Sequence, residues 1–98
     1  MASCSFTPSS REDLIDIWLY TQATWGEAQA DRYNSELEEC CQRIVAGAAH
    51  VRRVPDTDIW QHHCRHHYIF FLRREAEIVV IAVLHESMDF IRRLSARL

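Results

Sequence analysis

The sequence predicts an α+β domain: a short N-terminal strand, an antiparallel helix hairpin, a three-stranded antiparallel meander that completes the sheet, and a C-terminal helix. Three observations predict it. Apolar residues recur at three- and four-residue steps through the first half of the chain. The period switches to two after residue 58. Helix-type segments and strand-type segments are thus grouped rather than alternating, which separates α+β from a parallel α/β plan. With 98 residues, one core and a single domain over 1–98 are expected.

Residues 3–7 read as the first strand, stopped by Pro8. Ser9 then begins a helix as its cap, with Glu12 three residues on reaching back to form a capping box. Leu14, Trp18 and Thr21, flanked by Ile15, Ile17 and Leu19, give a helical face through Thr24. Gly26 ends it by taking the left-handed conformation. A second helix is read over 27–48, where Ala30, Tyr33, Leu37, Cys40, Cys41, Ile44 and Ala48 form one apolar stripe. The connection Trp25-Gly26-Glu27 is short, so the helices pack as an antiparallel hairpin. Residues 49–58 read as a loop. Strands follow over 59–65, 67–73 and 77–84, the last two joined by a turn at Arg74-Glu75-Ala76. Ser87 caps a final helix, with Met88, Ile91, Leu94 and Leu98 on its apolar side and Arg92, Arg93 and Arg97 facing water.

Composition narrows the function classes. Eleven basic residues against 14 acidic ones give a net charge of -3, and every basic residue is Arg. An acidic chain lacks the basic surface that phosphate binding needs, so no direct nucleic-acid binding is expected. Without Lys there is no Schiff-base or lysine general-base chemistry. The longest apolar run, 78–84, falls far short of the about 20 residues of a membrane helix. The N-terminus has no basic segment before an apolar one, so a cytoplasmic domain without membrane contact is expected. Cys4, Cys40, Cys41 and Cys64 could make two disulfides by parity. Nothing in the sequence indicates an oxidising compartment, and neighbouring Cys40 and Cys41 cannot bond without strain, so reduced core thiols are expected.

Two features bear on function directly. The strands over 68–72 and 78–84 are apolar on both faces, and a helix hairpin covers only one. An uncovered face would dock another protein; alternatively, the last helix and the 49–58 loop cover it. His62-His63-Cys64-Arg65-His66-His67 puts His62, Cys64 and His66 on one strand face, residue types suited to zinc or nickel. Steps of about 6–7 Å along a strand keep three such ligands from meeting at one ion, so no metal and no cofactor are expected. Cys64 beside its His neighbours and the His85/Asp89 pair lack the convergence nucleophilic catalysis requires.

Asp13-Leu14-Ile15-Asp16-Ile17-Trp18-Leu19-Tyr20, with Trp25-Gly26, Gln29-Ala30, Tyr33 and Leu37, resembles the helix hairpin of ParE-type toxins. His67-Tyr68-Ile69-Phe70-Phe71 and Val83-Leu84-His85-Glu86-Ser87-Met88-Asp89 are similar to that family's final strands and its V-L-H-x-x-M-D ending. The likeness runs in order over nearly the whole chain. It implies the RelE/ParE-like fold and the toxin of a bacterial type II toxin–antitoxin module, held inactive by a ParD-like antitoxin and inhibiting DNA gyrase by protein contact without enzymatic activity. On this reading Arg92, Arg93, Arg97 and Met88 meet the target, while Trp18, Tyr33, Leu37, Phe71, Arg73 and Arg74 meet the antitoxin. The sister RelE branch cuts messenger RNA on the ribosome, for which His85, Arg65 and His67 are the candidates here. Ala82, where relatives often carry Arg, and Trp60-Gln61-His62-His63, where they often show Tyr-Arg, depart from the family pattern and weaken the ribonuclease alternative.

Overall fold

In the computed structural model, which describes residues 3–97, the elements are β1 (Ser3–Phe6), α1 (Pro8–Trp25), α2 (Glu27–Val45), β2 (Arg52–Arg53), β3 (Trp60–Cys64), β4 (His67–Arg74), β5 (Glu77–His85) and α3 (Phe90–Ser95). The sheet order is β1-β5-β4-β3-β2. The meander β3-β4-β5 is antiparallel as expected, and β1 joins β5 in parallel. A parallel pair needs a long crossover. Here it includes the whole helix hairpin, whose α1 also packs on β5.

The helix ends differ from expectation in instructive ways. Thr7, not Ser9, caps α1: its hydroxyl accepts from the Ser10 N–H at 3.2 Å. Pro8 therefore sits in the first turn, where its missing N–H costs nothing. Gly26, at φ +97°, serves both helices: its N–H bonds Gln22 and its carbonyl accepts from Ala30. α2 stops at Val45 rather than at 48. Gly47, at φ +72°, closes a paired cap in which Gly47 N–H bonds the Ile44 carbonyl and Ala48 N–H bonds the Arg43 carbonyl. Ala48 thus leaves the apolar stripe and is exposed, whereas the other six stripe residues are buried. Inside the expected loop, Arg52 and Arg53 pair with Gln61 and Trp60 as an edge strand too short to show a period.

Both faces of the sheet carry a core. Toward the hairpin lie Tyr33, Leu37, Cys41 and Ile44 against Ile69, Phe71, Val80 and Val83. On the other side Ile59, Phe70, Ile81, Ala82, Leu84 and Leu94 are buried together, with Val54 and Phe90 packed against them. Of the two alternatives for the second face, open for docking or covered by the last helix and the loop, the structure has the second: α3 and the 54–59 segment cover it. A β-bulge explains how β5 serves both sides. Phe70 pairs with Ala82 and Phe71 with Val80, leaving Ile81 without a partner. Val80 and Val83, three apart, then share one face.

α3 itself departs from its expected form. It has six residues, Asp89 caps it rather than Ser87, and Phe90 and Leu94 are its inward side chains, while Ile91 is 79% exposed. Leu98 lies outside the described residues. Cys40 and Cys64 are joined in a disulfide between α2 and β3, with Cα atoms 6.4 Å apart, while Cys4 and Cys41 are free. This corrects the expectation of four reduced thiols. The pairing crosses two elements, so only tertiary packing brings these cysteines together. No helix among the described residues is long and apolar enough to cross a membrane.

Candidate functional site

A cleft of about 1070 Å³ opens between the hairpin and the end of β4 and β5. Its floor is Tyr33, His67 and His85; its rim carries Asp16, Tyr20, Trp25 and Met88. Tyr33 reaches it from the buried stripe of α2, and His67 because it opens β4 opposite His85. The Tyr33 hydroxyl is 2.6 Å from His67 Nδ1 and also accepts from the His66 backbone N–H at 3.2 Å. That second bond leaves the phenol proton to be donated to His67, so the imidazole accepts at Nδ1. Burial, reinforced by the neighbouring His85 and His66 charges, pushes His67 down to about 4. It is therefore neutral near pH 7. Burial likewise pushes the Tyr33 phenol up.

The remaining groups around the cleft are held locally. His85 Nδ1 lies 2.7 Å from the Ser87 hydroxyl and accepts from the Ser87 N–H. Asp89, once a candidate partner for His85, caps α3 instead. Glu86 turns outward to His66 (3.1 Å) and His63 (3.6 Å), and the His66 hydrogen bond holds its carboxyl below the usual range. The serine and imidazole thus meet without a carboxylate that orients the ring. No arginine lines this cleft.

The three ribonuclease candidates do not converge. His67 and His85 meet edge to face at 5.3 Å, but Arg65, on a left-handed turn, pairs with Glu36 at 3.1 Å. Nor do the strand ligands considered for a metal. His62 is buried with Nδ1 on the His50 carbonyl at 2.7 Å, Cys64 is in the disulfide, and His66 belongs to Glu86. Among the described residues no group of three or more His, Cys, Asp or Glu is arranged to hold a metal ion.

The contact surfaces divide sharply. Arg92 and Arg93 are exposed on α3 beside Ile91 and near half-exposed Met88. Arg97 is not free for a target. It makes a two-pronged ion pair with Asp13 at 2.8 and 2.9 Å, and donates to the carbonyl of the bulged Ile81 at 2.9 Å. Asp13 also accepts from the Val83 N–H. The pair finishes the edge of β5 that the short β1 leaves uncovered, which is why this arginine faces inward.

Of the residues assigned to an antitoxin, Leu37, Phe71 and Tyr33 are buried and belong to the core. Trp18 is half-buried, its indole N–H donating to Asp31. Arg73 and Arg74 are exposed on β4, and the Arg73 guanidinium lies 4.5 Å over the Trp60 ring. Four apolar residues on α1 are exposed, Ile15, Leu19, Tyr20 and Trp25; the sequence offers the aromatic pair as possible interaction hot spots, but reads Ile15 and Leu19 as part of the inward face. Their signal was available: apolar residues occur on more sides of α1 than one buried stripe requires.

A small sheet crossed by a helix hairpin, with exposed apolar and arginine side chains outside its two cores, defines a domain suited to gripping other macromolecules. The fold is that of the chromosomal ParDE toxin–antitoxin system from P. aeruginosa, which it matches with a TM-score of 0.76 at 17% identity over 87% of this chain and 96% of that one. Toxin ParE of Escherichia coli is 37% identical over all of this chain and 98% of its own length. Toxin ParE1 of Caulobacter vibrioides is 29% identical over 82% of this chain and 84% of its own. The family described as ParE toxin of type II toxin-antitoxin system, parDE, matches residues 4–90. The chain belongs to the ParE toxin family.

Proposed function

We propose that this toxin acts by contact rather than by cutting a bond: it inhibits DNA gyrase and is neutralised by a ParD-like antitoxin. The observation that carries this reading is the α3 surface, where exposed Arg92 and Arg93 follow a 79% exposed Ile91. Arginine beside an exposed apolar side chain is the composition of interaction hot spots. The cleft supports the same reading from the other side. Phosphodiester transfer needs positive charge at the developing oxyanion, and the cleft offers a neutral His67 and no arginine. The antitoxin is proposed to lie over the exposed apolar side of α1, Ile15 and Leu19, and to reach Arg73 and Arg74 with its carboxylates.

Supercoiling of relaxed plasmid by gyrase, with increasing purified toxin, tests this directly. Inhibition that a cognate ParD-like protein relieves is the expected result; undiminished supercoiling at stoichiometric excess contradicts it. A ribosome-dependent ribonuclease is the second reading, favoured by the meeting of Tyr33, His67 and His85 in one cleft. Primer extension on cellular messages after induction separates the two. Defined cuts within reading frames support the ribonuclease, and intact messages with DNA damage signalling support gyrase.

A further inference from the structure

The four cysteines are not absorbed by any of this, yet they converge from three elements onto one corner of the hairpin core. Cys4 comes from β1, Cys40 and Cys41 from α2, and Cys64 from β3. Cys40 and Cys64 are already a disulfide. Cys4 and Cys41 are free and line one open cavity of about 730 Å³ beside α2. Glu38, Glu39 and Arg43 stand around its mouth.

We propose that Cys4 and Cys41 form a thiol–disulfide exchange site that takes a small peptide disulfide of the glutathione class through this cavity. Arg43, which also donates to the Cys40 sulfur at 3.2 Å, stands where it meets one carboxylate of such a substrate, and Glu38 or Glu39 where it meets an ammonium group. The roles of the two thiols follow from their surroundings. Cys4 is half-exposed, so it is the thiol a dissolved disulfide reaches first, and the neighbouring Cys41 holds it below the ordinary range. Cys41 is buried, and its neighbour Cys4 together with that burial pushes its thiol up. Cys4 is thus the entering nucleophile and Cys41 the resolving thiol, since the thiolate is the attacking species.

The chemistry balances. Cys4 thiolate attacks one sulfur of the external disulfide, forms a mixed disulfide and releases one thiolate. Cys41 loses its proton to that thiolate or to water, attacks the Cys4 sulfur and releases the second thiolate. Two protein thiols are oxidised by two electrons, and one external disulfide becomes two thiols. The product ties β1 to α2, beside the existing tie between α2 and β3.

The test uses the purified full chain and its Cys4→Ser and Cys41→Ser variants. Each is incubated with oxidised glutathione near pH 7, alkylated, and mapped by mass spectrometry without reduction. The expected wild-type product is a peptide pair linked through Cys4 and Cys41. Cys41→Ser should stop at a glutathione adduct on Cys4. In Cys4→Ser, adduct formation at Cys41 should be at least about tenfold slower than at Cys4 in the wild type. The proposal is overturned if both wild-type thiols remain alkylatable, if an adduct persists on wild-type Cys4, or if Cys4 links to Cys40 or Cys64. It is equally overturned if Cys41 in Cys4→Ser reacts at the wild-type rate. Should a variant fail to fold, the wild-type map alone decides.

Discussion

Arg97 and the Arg92/Arg93 pair lie within one short C-terminal segment, yet they do opposite work. Arg97 is turned inward onto Asp13 and the Ile81 carbonyl, and its guanidinium is raised above the ordinary range by the Asp13 hydrogen bond. Arg92 and Arg93 touch no carboxylate among the described residues and stay in water. The difference is set by a partner 84 residues away and by a bulge that frees one carbonyl. Exposed arginine and inward arginine therefore look alike in sequence, and only the tertiary neighbour decides which is structural.

The comparison breaks most visibly at Asp13. Asp13→Ala leaves Arg97 and the Val83 N–H without their acceptor in a largely buried setting. A loss of about 3 kcal/mol is expected, as for other broken buried pairs. That corresponds to a fall in Tm of more than about 10 °C for a domain of this size. Arg97→Ala should fall nearly as far, and the double variant little further, since the two share one network. A melting curve within 2–3 °C of wild type (about 0.5 kcal/mol) would show that the pair does not hold the C-terminal segment.

The Cys40–Cys64 bond is the next largest effect. It closes a loop of 24 residues, for which chain entropy gives about 3 kcal/mol, less any strain. Cys40→Ser with Cys64→Ser should melt lower by about 10 °C, and added reductant should then leave that variant's Tm unchanged while lowering the wild type's.

A smaller effect sharpens the contrast on the cleft side. His67 titrates near 4 when folded and near 6.5 when unfolded, so between those values the unfolded chain binds more protons. Stability should be full above pH 6.5 and decline as pH falls toward 4, by about 1–2 kcal/mol after solvent screening. Thermal melts at pH 5 and pH 7 check this. His67→Gln should flatten the difference; an unchanged pH slope in that variant would assign it to other groups.

Much of the architecture was legible because it is local. The hairpin, its Gly26 break, the buried stripe of α2 and the three-strand meander all follow from periods and turn residues. What was not legible depended on distant partners. The disulfide, the bulge at Ile81 and the short strand at Arg52–Arg53 each require knowing what packs where, and so does the choice between an open and a covered second sheet face, which the sequence left undecided. The site followed the same rule. His67 and His85 could be named from the sequence, but Tyr33 read as an antitoxin contact until its hydroxyl was placed on His67. Leu37 and Phe71 were apolar enough for an interface and equally so for the core that contains them. The exposure of Ile15 and Leu19 was not legible because a helix facing a sheet is expected to bury such residues.

The smallest effect on stability is expected where the largest effect on function lies. Arg92→Ala with Arg93→Ala should melt within about 0.5 kcal/mol of wild type, as surface substitutions do. Truncating the chain after Asp89 cannot substitute for this variant, because it also removes Leu94 and Arg97. The most direct measurement is therefore the dose of this folded double variant needed to inhibit gyrase supercoiling, set beside the wild-type dose. At least a tenfold rise, about 1.4 kcal/mol of lost binding, is the expected outcome. Equal potency of the two proteins would contradict the assignment of target contact to α3.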